Sequence, residues 1–286
     1  LIGFLDDSSL NGGYHRRSRP YWQAFAMVYG KEKMRDPQHV LITGASSGIG
    51  AALAEEYAHP GRRLTLSGRH PARLAEIAAR CRAKGAMVGE LVLDITDSAA
   101  AAERLCAVDD EVPVDLIIAN AGISGGTHGG SETAEQVRAI FATNVDGVLN
   151  TVLPLLPRLE QRRRGQVALM ASLAGHRGFP GAPAYCGSKA AIKVWGEGLR
   201  GQMAASNVEV SVILPGYIKT PMTDANDFPM PLLMPVERAA RLIRRRLAGN
   251  AARIAFPWPT AAMAWLIGAL SPCLTDPLLQ RLPKKS

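Results

Sequence analysis

Short runs of apolar residues, separated by stretches with a helical period, organise the chain from His39 onward. His39-Val40-Leu41-Ile42-Thr43 reads as a first strand, and the apolar positions from Ile49 to Ala58 predict a helix directly after it. The alternation continues with a strand over Arg63–Ser67 and a helix over Pro71–Lys84, which has Pro at its first turn. A strand over Val88–Leu93 and a helix over Ser98–Cys106 follow. Three more strands are predicted at Val114–Ala119, Val167–Ala171 and Val208–Leu214. Long helices occupy Glu132–Glu160, broken near Thr143, and Ala184–Ala204. Such βαβ alternation needs parallel strands covered by helices on both faces. Right-handed crossovers then give an α/β doubly wound sheet, with ligands at the carboxyl ends of its strands.

With 286 residues, 47% of them hydrophobic, the chain can bury a full core, which excludes disorder as a description of the whole. No internal repeat or low-complexity linker divides it. The expected organisation is one domain over 34–250, with an apolar and basic C-terminal appendage over 251–286. Residues 1–33 show no clear period and no long apolar core of the secretory kind. They are read as an extension outside the fold, because Met34-Arg35-Asp36-Pro37 looks like a natural start.

The net charge of +8 is concentrated at one end. From Glu237 onward nine Arg or Lys residues face only Glu237 and Asp276, too confined for a diffuse nucleic-acid surface. A solvated helix face followed by a basic tail is the simpler reading, and a lipid-surface contact is the alternative. The cysteines (Cys81, Cys106, Cys186 and Cys273) lack metal-ligand spacing. They read as reduced thiols of an intracellular, cytoplasmic protein without a metal site.

Candidate chemistry lies in two places. Gly44, Gly48 and Gly50 sit where the first strand turns into a helix, in Thr43-Gly44-Ala45-Ser46-Ser47-Gly48-Ile49-Gly50. Glycine there permits positive φ and lets a phosphate approach amides at the positive end of the helix. About 20 residues on, an acidic residue would hold a ribose 2′-hydroxyl, but Gly68 fills that place and Arg69 follows. A guanidinium there suits a 2′-phosphate, so NADP(H) is preferred and NAD(H) stays open. The second place is Tyr185-Cys186-Gly187-Ser188-Lys189, with Ser172 upstream. Lys189 lies one helical turn from Tyr185, and its ammonium favours the phenolate of a group whose free pKa is near 10. Tyr185 then exchanges a proton with a carbonyl or alcohol oxygen, and Ser172 hydrogen-bonds the same oxygen.

The order TGxxxGxG, Ser172, Tyr185 and Lys189 resembles the short-chain dehydrogenase/reductase family, from about Val40 to Met222. The resemblance implies a Rossmann-type fold and hydride transfer between a nicotinamide cofactor and a carbonyl or alcohol. It implies that Gly44, Ser46, Ser47, Gly48, Ile49 and Gly50 hold the pyrophosphate side. Asp94, beside Ile95, is matched to a contact with adenine. Asn120, Ala121 and Gly122 steady the sheet close to the cofactor. Pro215, Gly216, Ile218 and Thr220 meet the nicotinamide carboxamide. Asn144 is matched to an asparagine that holds a water linking to the lysine, which completes a catalytic set of Ser172, Tyr185, Lys189 and Asn144. The family also implies a homodimer or homotetramer formed through the long helices.

Pro221–Pro235 is rich in Met, Phe and Leu and falls where relatives carry a lid, suggesting a lipophilic substrate or mere lid packing. Ile254–Thr275 carries no charge, but its prolines leave only about a dozen unbroken residues, too few to span a bilayer at roughly 20. A pocket cap, a subunit contact and peripheral membrane association remain open for it. His128 and His176 border Gly-rich loops without an assigned role, and Cys186 reads as packing. Sugar-nucleotide epimerases share the Ser/Tyr/Lys set but show a different glycine spacing. A catalytically silent dinucleotide sensor or scaffold is the non-enzymatic alternative.

Overall fold

A computed structural model describes residues 34–125, 132–224, 226 and 229–281; the predicted extension at 1–33 and His128 lie outside the described residues. Seven parallel strands form one sheet in the order β3-β2-β1-β4-β5-β6-β7. They are β1 (His39–Thr43), β2 (Arg63–Gly68), β3 (Met87–Val92), β4 (Leu116–Ala119), β5 (Gly165–Met170), β6 (Val208–Pro215) and β7 (Arg253–Phe256). Every residue of β1, β4 and β5 is buried, as strands in the middle of a doubly covered sheet should be.

The faces follow the pleat. Val40 and Ile42 point into one core with helices α1 (Gly48–Tyr57) and α2 (Pro71–Ala83). Leu41 points into the other with α3 (Ser98–Glu111). Strand order reverses between β1 and β4, which pair in the register Val40↔Leu116. Chain connections leave this switch point in opposite directions and open a crevice above the carboxyl ends of both strands.

The helix predicted over Glu132–Glu160 is resolved into pieces: α4 (Ala134–Phe141), a π-helical turn (Ala142–Asp146), α5 (Gly147–Val152) and α6 (Leu156–Arg162). The break falls at Thr143, as the sequence suggested, and the extra residue of the π turn re-aims Asn144 inward. Thr133 and Gln136 form a reciprocal capping box that starts α4. The 21-residue α7 (Pro183–Met203) follows β5, and α8 (Pro221–Asp224) follows β6.

The C-terminal segment departs from expectation. The sheet does not end before residue 251: Arg253–Phe256 pairs with β6 as its seventh strand. Ile254 and Phe256 are buried while Arg253 and Ala255 face solvent, so this is a half-covered edge strand. At four residues, flanked by Pro257, it is too short to announce itself by period. Between β6 and β7, α9 (Val236–Ala248) packs on α1 and turns its arginines outward. After β7 come α10 (Trp258–Ala269), none of whose residues is buried, and α11 (Pro272–Leu279). Trp258 is 78% and Trp265 60% exposed, so α10 is a largely uncovered apolar helix.

Candidate active site

The turn from β1 into α1 is built around its glycines. Gly44 and Gly48 hold φ of +66° and +56°, where a side chain would be strained. A Cβ on Gly44 would also lie 2.7 Å from the Ala121 Cα. Asn120 locks β4 to this turn, donating from Nδ2 to the carbonyls of Thr43 (3.0 Å) and Gly44 (3.2 Å). The N-terminus of α1 has no side-chain cap: Ser47 is extended and its hydroxyl does not bond the first turn. Gly44, Ser46, Ser47, Gly48 and Ile49 line a cleft of about 300 Å³. Gly50 does not. It is buried beneath the turn, where a Cβ would come within 2.3 Å of the Gly44 oxygen.

Farther along the same cleft lie Gly68 and Arg69 at the end of β2. A Cβ on Gly68 would sit 3.3 Å from the Ser46 side chain, so an acid placed there would press Ser46 by a few tenths of an ångström. The Arg69 guanidinium lies 3.9 Å from the Asp94 carboxylate, and both are about half exposed. Thr96 binds the other Asp94 oxygen through its amide (3.0 Å) and hydroxyl (2.8 Å). Those bonds, the amide foremost, hold the Asp94 pKa below its ordinary value against burial, with Arg69 helping. Arg73, in the first turn of α2, lines the cleft as well. The sequence reading missed it, although its signal was present: Arg69 and Arg73 are four apart across a helix start.

At the opposite end stand Ser172, Tyr185 and Lys189, all lining the cleft. Ser172 lies just past β5, its hydroxyl accepting from the Ala174 amide (3.1 Å) and donating to the Pro215 carbonyl (3.4 Å). Burial pushes the Tyr185 pKa up and a hydrogen bond from the Ser172 hydroxyl to its phenol oxygen pulls it down, with burial the larger influence. Lys189 Nζ lies 5.8 Å from the centre of the Tyr185 ring and donates to the Met170 carbonyl at 3.0 Å. Burial lowers the Lys189 pKa to about 8.

Asn144 is fully buried under the site and does not line the cleft. Its Oδ1 accepts from the Ile123 amide (2.8 Å), and its Nδ2 donates to the Ile123 carbonyl (2.9 Å) and to Ser188 Oγ (3.0 Å). A Cβ on Gly122 would lie 3.0 Å from Asn144 Oδ1 and 3.2 Å from Lys189 Nζ, so glycine lets both groups crowd the same point. Among the other matched positions, Asp94, Ile95, Asn120, Ala121 and Gly122 line the cleft, as do Pro215, Gly216, Ile218 and Thr220. Pro221, Met222 and Thr223 continue the wall into the lid segment, of which residues 225, 227 and 228 lie outside the described residues. His176 stands away from the cleft, its carbonyl against Gly268 of α10.

One elongated cleft thus joins an uncapped helix start, a pair of arginines and a phenol hydrogen-bonded to a serine. Glycines that a Cβ would overfill, and amides at a positive helix end, fit a dinucleotide pyrophosphate. The sequence model described as short chain dehydrogenase matches residues 38–228. The chain belongs to the short-chain dehydrogenase family. An uncharacterized oxidoreductase of Myxococcus xanthus is 37% identical over 85% of this chain and 96% of its own. Serine 3-dehydrogenase of Agrobacterium fabrum is 33% identical over 64% of this chain and 73% of its own. Among solved structures, a short-chain dehydrogenase from Sphingobium yanoikuyae in complex with NADPH superposes with a TM-score of 0.72 and 27% identity. That match covers 86% of this chain and 96% of the other. This short-chain dehydrogenase is accordingly an NAD(P)-dependent oxidoreductase with a single Rossmann-type sheet.

Proposed function

We propose that the chain reduces a lipophilic carbonyl, or oxidises the corresponding alcohol, with NADP(H) as the preferred cofactor. The observation that carries this reading is the meeting of Tyr185, Ser172 and Lys189 with the glycine turn in one cleft. In it, Gly44, Ser46, Ser47, Gly48 and Ile49 hold the pyrophosphate, and Ile95, Asn120, Ala121 and Gly122 line the path of the nucleotide. Arg69 and Arg73 pair with a 2′-phosphate, and Gly68 leaves no carboxylate to repel it. Asp94 keeps its place beside Arg69 at the adenine end. Pro215, Gly216, Ile218 and Thr220 face the nicotinamide end.

The bound nicotinamide supplies or accepts the hydride. Tyr185 gives a proton to the carbonyl oxygen in reduction, or takes one from the alcohol in oxidation. Its high pKa keeps the phenol protonated, the form reduction needs. Ser172, already bonded to the phenol, donates to the same substrate oxygen and stabilises developing negative charge. Lys189 spans the floor from Met170 to Tyr185, and Asn144 fixes Ile123 and Ser188 around it, so its role is to hold the floor.

Met222, 42% exposed at the lid, supports an apolar substrate. The apolar surfaces of α7, where Val194 is 64% exposed, and of α10 support self-association through the former and contact with a membrane surface through the latter. The test is NADPH binding by fluorescence, paired with NADPH oxidation against a panel of lipophilic ketones. Turnover with at least one ketone is expected. Tight binding without turnover across the panel would favour a silent sensor.

A further inference from the structure

The first turn of α7 carries Tyr185 as its third residue, and its backbone donors can be accounted for in full. Pro183 has no N–H, and Cys186 N–H reaches the Ala182 carbonyl at 3.0 Å. Between them are the amides of Ala184 and Tyr185, which no helical carbonyl can satisfy. Ala182 has no side-chain group to cap them. Both go to one side chain from a distant part of the sequence: Glu132 accepts from Ala184 N at 2.6 Å and from Tyr185 N at 3.2 Å. Each carboxylate oxygen takes one donor. The same side chain folds over Gly125, where a Cβ would lie 3.0 Å from Glu132 Oε1 and 3.1 Å from its Cγ. Glu132 immediately precedes Thr133, the cap of α4, so its backbone is fixed by that helix start.

We propose that Glu132 is a positioning residue for Tyr185. Its carboxylate clamps the first turn of α7 and thereby sets the direction from which the phenol meets Ser172 and the substrate oxygen. The negative charge also sits at the positive end of a 21-residue helix, where it is electrostatically favoured. The chemistry of the clamp is specific. A carboxylate presents only acceptors, whereas the amide of glutamine presents one acceptor and one N–H₂ group. Glu132→Gln keeps the size and reach of the side chain yet sets a donor against one of the two helix amides. The inference rests on the reading of Tyr185 as the acid/base, and it adds a residue that does not line the cleft.

Amide hydrogen exchange resolved to single residues tests the clamp without any turnover. First-turn amides normally exchange fast, so protection of Ala184 and Tyr185 in the native chain, lost in Glu132→Gln while later α7 amides keep theirs, is the expected result. Turnover at saturating NADPH and ketone should fall on the order of 10- to 100-fold in Glu132→Gln, with NADPH affinity unchanged. In a Tyr185→Phe background the same substitution should cause no further loss, because nothing is left to position. Retained protection in Glu132→Gln, unchanged turnover, or equal losses in both backgrounds would each overturn the proposal. A native chain that turns over no ketone would remove the positioning role together with the functional reading, while the exchange result would still report whether the clamp exists.

Discussion

Two helix N-termini face the same cleft and are finished in opposite ways. The start of α1, at Ser47 and Gly48, has no side-chain cap and is flanked by glycines with positive φ. The start of α7 has both of its free amides filled by Glu132. A helix start left open is a seat for an anion, because its amides and dipole have no internal partner. One that is closed holds its own side chains still. The difference sorts the cleft into a half that binds by offering backbone and a half that reacts by fixing Ser172, Tyr185 and Lys189.

Predictions follow from breaking each half separately. The largest effect belongs to the reacting half: Ser172→Ala should lower turnover by roughly 10²- to 10³-fold, the usual cost of losing one donor to a developing oxyanion. Steady-state rates at saturating NADPH check it, and NADPH affinity should not move. The binding half should fail at Gly50. In Gly50→Ala the new methyl meets the Gly44 carbonyl at 2.3 Å, which is backbone and yields only by shifting the turn. NADPH binding by fluorescence titration should weaken at least about tenfold, and a variant that binds normally would show the turn to be plastic.

Arg69 and Arg73 sharpen the comparison within the binding half. Replacing both with Ala should weaken NADPH relative to NADH by about 2 kcal/mol, roughly 30-fold, as expected for lost charge-assisted phosphate contacts. Equal losses for the two cofactors would remove the case for NADP(H). A fourth effect is in pH. Lys189 is lowered to about 8 by burial, whereas Tyr185 is raised by the same cause. Loss of the Lys189 charge weakens the charge-assisted bond to the Met170 carbonyl that holds the floor under Tyr185, so the reductive kcat/KM profile should descend near pH 8, and a flat profile through pH 9 would contradict this.

The smallest effect concerns the frame. His39 is buried between the Val112 carbonyl and Thr65 Oγ1, both at 2.9 Å, and burial lowers its pKa from 6.5. The folded state then binds fewer protons than the unfolded chain just below pH 6.5. Its stabilising contribution is complete above that pH and declines as pH falls toward the folded value, by no more than about 1.4 kcal/mol per pH unit. Thermal unfolding from pH 7.5 to 5.5 should show the decline, and it should be blunted in His39→Gln.

What the chain made legible was local. The strand–glycine–helix turn and the Tyr185/Lys189 spacing are short-range patterns, and they landed at one cleft because the parallel topology gathers strand ends. What was hidden depended on three-dimensional neighbours. Gly50 looks like its cleft-facing companions until the Gly44 carbonyl is seen against it. Asn144 turns inward because of a π-helical residue, which has no signature of its own. Glu132 lies 52 residues from Ala184, so no spacing rule links them. β7 is four residues with one face exposed, a pattern shared by many loops.

The central claim is that one phenol in this cleft moves the proton while separate backbone holds the nucleotide. Its most direct test is Tyr185→Phe, with NADPH affinity and ketone-dependent NADPH oxidation measured on the same sample. Affinity within about twofold of the native chain, with oxidation down by roughly 10²-fold or more, is the predicted result. Sustained oxidation, or a parallel collapse of affinity, would contradict it.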